Sequence, residues 1–328
     1  MKRRFLLSLA ATLFLVLVST PARAQTTVNL GLDWVILAQH TPYMVALEKG
    51  YWKQAGLDVN VTRGWGAADA VRRVIAGGAD MVFADPGALV IARAKGGNAK
   101  IVAVLYGRGA HAIYSRKKTA ILQPKDLEGK TIGAPPGDGI RMVFPAFARY
   151  VGIDAAKVKW VDVDPAAKTP MVMADKVNAA TNFVFDGVTW RKVTANEGGV
   201  NEMFFANYGF NIYGNGLMAR DEWVEGKADL VRKVTHGTIQ AYQFTLENPE
   251  EAAAIYSKYH TTQDPVTVRA VMPILKELVL TPEAKAKCIG WIDHAIMANT
   301  AKVMIEAFGV KEPLRVEDTY TRVFLPCS

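Results

Sequence analysis

Three carboxylates stand directly after runs of strand-like sequence. Asp33 follows the first such run, Asp85 follows the apolar run "MVFA", and Asp186 follows "NFVF". A carboxylate at a strand end can accept hydrogen bonds from a ligand amine or hydroxyl, whereas it repels an anion. Capping of the helix that begins at Pro86 is an equally good interpretation of Asp85. The set favours a ligand that carries hydrogen-bond donors, such as an amino-pyrimidine, over sulfate or nitrate.

Two tryptophans follow the first and second predicted strands. Trp34 and Trp65 could stack on the two faces of a flat ligand, although ordinary core packing would use the same residue type. Gly66, beside Trp65, leaves bare backbone at a helix start, which suits a close ligand or simply a tight turn. Gly137 and Asp138 form a similar loop in the second half of the chain. A Walker sequence with its lysine is missing from that loop, so nucleotide hydrolysis is not predicted.

Four further residues are candidates for the site. Arg108 could hold an anionic group through paired hydrogen bonds, but a surface ion pair is the commoner fate of one arginine. Tyr213 could carry its hydroxyl into a cleft or pack in the core. Phe183 precedes Asp186 at the end of a predicted strand, and His40 lies just before the first predicted helix.

The elements that would position these residues alternate between strand and helix. Strands are predicted at 28–34, 57–62, 80–84, 100–106, 130–134, 157–163, 179–183 and 203–207, and helices at 42–51, 68–76, 86–95, 139–150, 165–174 and 188–196. After residue 221 the chain is mainly helical, at 227–246, 249–258, 265–280 and 293–308. Strand–helix–strand repeats predict mostly parallel sheets covered on both faces, with ligands at the carboxyl ends of the strands.

The pattern divides into two α/β units without a Pro/Ser/Gly-rich linker. Extended segments at 111–116 and 211–220 would carry the chain out of the first unit and back into it. We therefore expect a discontinuous lobe I (25–115 plus 216–328), a lobe II (116–215), and a two-strand hinge beside an interlobe cleft.

The N-terminus predicts export. Lys2, Arg3 and Arg4 precede an apolar run from Phe5 to Val18, and Ala22-Arg23-Ala24 offers a cleavage site before Gln25. This is the pattern of a signal peptide (1–24), and the run is too short for a membrane span. We expect a periplasmic protein of a Gram-negative cell. The net charge of +8 includes four basic residues of this segment. The remaining positive charge comes without a large basic cluster, so nucleic-acid binding is not predicted.

Cysteines and catalytic motifs are sparse. Cys288 and Cys327 are the two cysteines of the chain, and an oxidising compartment favours a disulfide between them over a metal site. G-x-S-x-G, H-E-x-x-H and C-x-x-C patterns are absent, and the five histidines are scattered. We therefore expect a binding protein without cofactor or metal rather than an enzyme.

A family resemblance supports this interpretation. The segment "HTPYMVALEKGYWKQAGLDVNV" (40–61), "VIAGGADMVFADPGAL" (74–89) and "QPKDLEGKTIGAPPGD" (123–138) resemble the nitrate/sulfonate/taurine-type substrate-binding proteins of ABC importers. That family includes binders of thiamine-pyrimidine precursors. The matching residues of the first segment are Ala46, Glu48, Lys49, Gly50, Tyr51, Trp52, Gly56, Leu57, Asp58 and Val59.

The resemblance implies an α/β type II periplasmic-binding-protein fold, a monomer, and a membrane permease and its ATPase as partners. Sulfonate, taurine, nitrate, aromatic carboxylate and pyrimidine binders share this scaffold, so the ligand stays open. His40 matches a loop histidine that serves as a reactant in pyrimidine-synthesising relatives. Their cysteine-rich motif is missing here, so we expect at most a ligand hydrogen bond from His40, and an enzyme of that kind is the rival prediction.

Overall fold

The computed structural model describes residues 25–261, 263–311 and 313–328. The predicted signal peptide therefore lies outside the described residues. The strands are β1 (Thr26–Gly31), β2 (Leu57–Thr62), β3 (Met81–Ala84), β4 (Ala99–Val104), β5 (His111–Arg116), β6 (Thr131–Ala134), β7 (Lys159–Asp162), β8 (Ala179–Phe183), β9 (Val200–Phe204) and β10 (Gly216–Arg220).

These strands form two mixed sheets, and each sheet is the centre of one lobe. The first sheet has the order β2-β1-β3-β10-β4 and the second has the order β7-β6-β8-β5-β9. In the first, β10 runs antiparallel to β3 and β4; in the second, β5 runs antiparallel to β8 and β9. The remaining pairs are parallel. In each sheet, the reversed strand is the one that the chain enters after crossing from the other lobe.

The chain crosses between the two lobes close to the segments that were predicted to connect them. Residues 111–116, expected to cross between the lobes, are instead β5 inside the second sheet, because both of their edges find strand partners. The chain crosses at 105–110 and returns at 205–215. The two crossings are joined to each other, since Tyr106 N donates to Asn215 O (2.9 Å) and Gly214 N donates to Tyr106 O (2.9 Å).

Helices cover the sheets. They are α1 (Thr41–Glu48), α2 (Tyr51–Gln54), α3 (Ala67–Ile75), α4 (Pro86–Ala94), α5 (Gly139–Val151), α6 (Lys168–Met173), α7 (Gly187–Val193), α8 (Asp221–Gly226), α9 (Ala228–Glu247), α10 (Pro249–Tyr259), α11 (Pro265–Val279), α12 (Pro282–Ala286) and α13 (His294–Phe308). Proline at the first turn of α4, α10, α11 and α12 explains why these starts were predictable.

Two further predicted elements contain a 3₁₀ turn in the structure. The helix expected at 165–174 begins as a 3₁₀ turn, Pro165–Ala167, before α6. The strand expected at 203–207 is β9, and Phe205–Tyr208 is a 3₁₀ turn. Burial of Phe205 against the ring of Phe147 (centroids 3.8 Å apart) explains the second difference, because this packing takes an apolar residue out of the strand.

The C-terminal tail returns to the first sheet. Thr321 N donates to Ile101 O (2.9 Å), beside β4. A disulfide joins Cys288 to Cys327, 39 residues apart. Along the three described stretches, no helix combines the length and apolar character needed to cross a membrane.

Candidate functional site

A cleft of about 580 Å³ opens between the two lobes. The first lobe contributes the loops after β1 and β2 and the start of α11, and the second contributes α6, α7 and the end of β8. The polar and aromatic lining residues are Trp34, Arg63, Trp65, Asp164, Lys168, Thr169, Asn182, Asp186, Thr189, Trp190, Lys192, Gln263, Asp264 and Thr267. Of the residues singled out from the sequence, the cleft brings together Trp34, Trp65 and Asp186.

The two predicted tryptophans belong to one wall. Trp34 is only 6% exposed, whereas Trp65 is 57% exposed, so Trp65 is the ring with a face free for a ligand. Backbone hydrogen bonds hold their loops together, since Gly64 N donates to Trp34 O (3.0 Å) and Gly66 N donates to Asp33 O (2.7 Å). The Arg63 guanidinium lies 3.8 Å from the Trp65 ring centroid. This wall is therefore aromatic and firmly positioned.

The predicted glycines meet each other across the lobes. A Cβ on Gly66 would lie 2.3 Å from Gly137 O, and the φ of Gly66 is +127°, a combination that only glycine tolerates. Neither glycine lines the cleft. Their placement indicates contact between closed lobes, at the N-termini of α3 and α5.

Lys168 is a cleft residue that sequence reasoning missed. Its Nζ donates to Thr181 O (2.7 Å) and lies 3.8 Å from Asp138 Oδ2 and 4.9 Å from the Trp34 ring centroid. Asp138 also accepts hydrogen bonds from Ile140 N and Arg141 N as the cap of α5. Asp138 therefore supports Lys168 from outside the cleft. The available signal was a lysine shortly after the predicted strand that ends near Asp164.

Two more residues of the second lobe were also missed. Asn182 Nδ2 and Trp190 Nε1 are buried donors without a hydrogen-bond partner among the described residues. Asn182 is 6% exposed and Trp190 is fully buried, and both residues line the cleft. Both donor atoms are buried although the cleft is open, as is the unpartnered Nε1 of Trp223 away from it, so the missing partners do not by themselves mark a ligand contact.

Asp186 supplies the acceptor of the second lobe. Its Oδ2 accepts from Phe183 N (3.0 Å). Burial raises the pKa of the Asp186 carboxyl above its ordinary value, and the nearby Lys168 ammonium opposes that rise.

The predicted residues Asp33 and His40 form a network behind the cleft. Leu37 N donates to His40 Nδ1 (3.1 Å), so the ring carries its proton on Nε2, which lies 3.2 Å from Asp33 Oδ1. Asn215 Nδ2 donates to Asp33 Oδ2 (2.7 Å). Asp33, His40 and Phe183 lie around a closely packed spot that has no room for a water molecule. The network ties the Trp34 loop to the returning crossing.

Asp85 lies away from the cleft. Its Oδ1 accepts from Gly87 N (2.7 Å), the capping role that the sequence left open. Its Oδ2 lies 2.7 Å from His111 Nε2 at the start of β5, and both side chains are buried. Asp85 is not among the residues that line the cleft, and its direct contact with a ligand stays a prediction.

Arg108 and Tyr213 also lie elsewhere. Arg108 is exposed and lines a separate groove of about 240 Å³ with Arg191, Glu277 and Leu278. Tyr213 is buried, and its hydroxyl accepts from Asp293 N (2.6 Å). Neither residue reaches the cleft, because the crossing segments that carry them pack against α11–α12 and α13.

The charges that line the cleft balance. Three basic side chains, Arg63, Lys168 and Lys192, face three carboxylates, Asp164, Asp186 and Asp264. Lys192 Nζ lies 3.4 Å from Asp264 Oδ2, which joins α7 to the start of α11. No group of histidine, cysteine and acidic residues within 25–261, 263–311 or 313–328 could hold a metal ion.

Two α/β lobes around such a cleft form a fold of the periplasmic-binding-protein type, and solved structures share this fold. The alkanesulfonate-binding protein SsuA of Xanthomonas axonopodis superimposes with a TM-score of 0.71 at 13% identity, covering 92% of this chain and 100% of that one. The nitrate-binding protein NrtA of Synechocystis gives 0.67 at 15% identity, covering 92% and 87%.

Sequence comparisons assign the chain to a family. Residues 37–252 match the NMT1/THI5 like family model, and the chain belongs to this family. A riboflavin-binding protein of Chloroflexus aurantiacus is 24% identical and covers 94% of this chain and 92% of its own length. A formylaminopyrimidine-binding protein of Halalkalibacterium halodurans is also 24% identical, covering 78% and 75%. The resemblance and the α/β fold predicted from the sequence are confirmed.

Proposed function

We propose that this protein is the solute-binding component of an ABC importer and that it captures a flat nitrogen heterocycle between its lobes. The observation that carries the proposal is the interlobe cleft, whose lining comes from both lobes and includes the exposed face of Trp65. A ligand that contacts both lobes stabilises the closed state relative to the open one, which is what a clamp requires. The lobes would move about the paired crossings 105–110 and 205–215.

The chemistry of the lining favours a ring without strong net charge. Trp65 provides an exposed aromatic surface, and the basic and acidic groups of the cleft balance. Riboflavin and formylaminopyrimidine, which the related proteins are named for, both contain a flat nitrogen heterocycle. These names support the class of ligand proposed here.

A small oxyanion such as a sulfonate, taurine or nitrate, or an aromatic carboxylate, is the second candidate. Lys168 is the cation best placed for it, buried in the cleft. Its ammonium already donates to Thr181 O and lies near Asp138, so part of its charge is matched within the protein. This arrangement favours the heterocycle.

A pyrimidine-synthesising enzyme would use His40. Both ring nitrogens of His40 are engaged, one by Leu37 N and one by Asp33, and the relatives at hand are named as binding proteins. These observations support binding without turnover.

Periplasmic location and delivery to a permease complete the proposal. Export rests on the signal-peptide pattern of residues 1–24, and the SsuA of Escherichia coli, which shares the fold, is described as periplasmic. We infer the permease and ATPase partners from the same family relationship.

A thermal-shift panel tests the proposal. Riboflavin, lumazine and thymine would be compared with taurine, an aliphatic sulfonate and nitrate. A true ligand at about 100 times its Kd adds roughly 2.7 kcal/mol to the free energy of unfolding. Stabilisation by the oxyanions alone would contradict the heterocycle assignment.

Trp65→Ala locates the ligand. Stacking on one aromatic face contributes about 1–3 kcal/mol, so titration calorimetry should show affinity falling by about tenfold or more. Tyr150→Ala is the matched control, because Tyr150 is an equally exposed ring (53%) on α5 outside the cleft. Equal affinities for both variants would place the ligand elsewhere.

A further inference from the structure

We propose that the hydrogen bond between Asp85 and His111 is the pivot of the hinge. It joins the two lobes where the chain crosses between them, and it sets the angle at which they face each other across the cleft. His111 is then a positioning residue that acts on ligand binding through the lobes. The inference rests on the proposed function and deepens it, because it names the group about which the lobes would close.

The pair lies where the crossings enter the two sheets. Asp85 follows β3, whose last residue, Ala84, pairs with Gly216 at the point where the returning crossing enters the first sheet. His111 is the first residue of β5 and directly follows the outward crossing at 105–110. The hydrogen bond therefore joins the first sheet to the second beside both crossings.

The imidazole of His111 is held in place by residues of the crossings and of the second lobe. A Cβ on Gly109 would lie 3.0 Å from His111 Nδ1 and 3.4 Å from Ile212 O, so the ring lies close to both crossing segments. The ring centroids of Phe183 and Phe205 are 6.3 Å and 6.2 Å from that of the imidazole. This packing fixes the direction in which the ring donates.

The polar attachment of the His111 side chain lies in the other lobe. An ionised carboxylate only accepts hydrogen bonds, so His111 Nε2 carries the proton and donates to Asp85 Oδ2 over 2.7 Å. The other ring nitrogen, Nδ1, is buried and has no hydrogen-bond partner in the described part of the chain. The second oxygen of Asp85 accepts from Gly87 N at the start of α4. The bond thus connects a helix start in one lobe to a strand start in the other.

Burial makes this contact harder to break than the other ion pair that joins the lobes. The side chains of His111 and Asp85 are 1% and 3% exposed, and separating them would leave a buried carboxylate without its partner, which is costly. The side chains of Lys192 and Asp264 are 72% and 46% exposed, so water can solvate both when the lobes part. The lobes can therefore rotate about the Asp85–His111 contact more easily than they can separate at it.

Distances between the lobes of the ligand-free protein test the inference. Spin labels on Asp58→Cys and Lys159→Cys would report the interlobe distance by pulsed electron paramagnetic resonance. Both residues are exposed, and they lie on β2 and β7, the sheet edges opposite the crossings. Cys288 and Cys327 are joined in a disulfide and would not take up the label. The labelled protein with its hinge unchanged gives the reference distribution.

Asp85→Ser combined with His111→Phe removes the contact and leaves no unpaired buried charge. Serine can still cap α4, and the phenyl ring keeps the packing against Phe183 and Phe205. We expect the interlobe distances to spread and to shift to longer values. His111→Gln is the conservative variant, because its side-chain amide can still donate to Asp85, and it should keep the reference distribution.

Arg93→Met combined with Asp221→Ala is the matched control. This partly buried ion pair, with Nη1 2.9 Å from Oδ2, joins α4 to α8 within the first lobe. Its loss should lower the free energy of unfolding and leave the interlobe distances unchanged.

The outcomes separate this inference from the proposed function. Reference distances in the variant that lacks both Asp85 and His111 would overturn the inference, and so would an equal spread in His111→Gln or in the control. Each of these results leaves ligand capture in the cleft intact, because no ligand is present in the measurement. A panel in which no compound binds would overturn the proposed function and would leave the measured distances unchanged.

Discussion

Asp85 and Asp186 show how one residue type in one sequence context takes two roles. Asp85 follows β3 directly, whereas Asp186 ends a 3₁₀ turn (Val184–Asp186) after β8, and each precedes a helix. Asp85 is fully matched by Gly87 N and His111, whereas Asp186 uses one oxygen for Phe183 N and lines the cleft. Both carboxylates could be found in the sequence. The contact between Asp85 and His111 could not, because it depends on the tertiary fold.

The buried carboxyl of Asp186 has a consequence for stability. Its pKa is raised in the folded protein, so the folded state binds this proton more tightly than the unfolded state does. The resulting stabilisation is full below the ordinary pKa of an aspartate, about 3.9, and is lost as pH rises through the folded value. At neutral pH the ionised group opposes folding.

Asp186→Asn should therefore be more stable than the wild type at neutral pH, and the difference should disappear on acidification to about pH 4 or below. Urea unfolding of both proteins across this range measures it. The amide oxygen can still accept from Phe183 N, so that hydrogen bond is kept. A variant that is less stable by the same amount at every pH would show that the carboxylate is not a source of strain.

At the scale of elements, the loops after β1 and β2 position the site. Their mutual hydrogen bonds fix Trp34 and Trp65, and the second loop ends at Gly66 against Gly137 of the other lobe. The contact exists only when the lobes are close, so it belongs to the closed state.

Gly66→Ala should hold the lobes apart, because the new Cβ would lie 2.3 Å from Gly137 O. Ligand affinity is expected to fall, and the radius of gyration by small-angle scattering is expected to rise. Gly56→Ala is the matched control, since Gly56 also has a positive φ (+80°) but has no atom within 4 Å of the added Cβ. A similar loss of affinity in the control would attribute the effect to backbone strain alone.

Element boundaries were predictable where local chemistry sets them. The bounds of β2 and β8 coincide with those predicted, and proline starts fixed α4, α10 and α11. The strand at 203–207 was misplaced because burial of Phe205 against Phe147 depends on tertiary packing. Lys168, Asn182 and Trp190 were missed for the same reason, because only the tertiary fold brings these residues to the cleft.

For the whole molecule, the two sheets and paired crossings explain why the sequence looked like two α/β units. The reversed strands β5 and β10 were not predictable from periodicity, because strand direction depends on how the chain re-enters each sheet. The domain limits at 115 and 216 stay a prediction.

The C-terminal disulfide should stabilise the first lobe. It closes a loop with a sequence separation of 39, for which the chain-entropy relation gives about 4 kcal/mol. Cys288→Ser with Cys327→Ser should lower the free energy of unfolding by roughly this amount in denaturant titrations. Ligand affinity should remain unchanged, because neither cysteine lines the cleft. Equal stability of variant and wild type would show that the tail is held without the bridge.

The most direct measurement is a crystal structure with the tightest-binding ring of the panel. We expect ligand density between the Trp65 face of the first lobe and the second-lobe lining at Lys168 and Asp186, with Gly66 and Gly137 in contact. Density in the groove beside Arg108, or a ligand held by one lobe while the cleft stays empty, would contradict it.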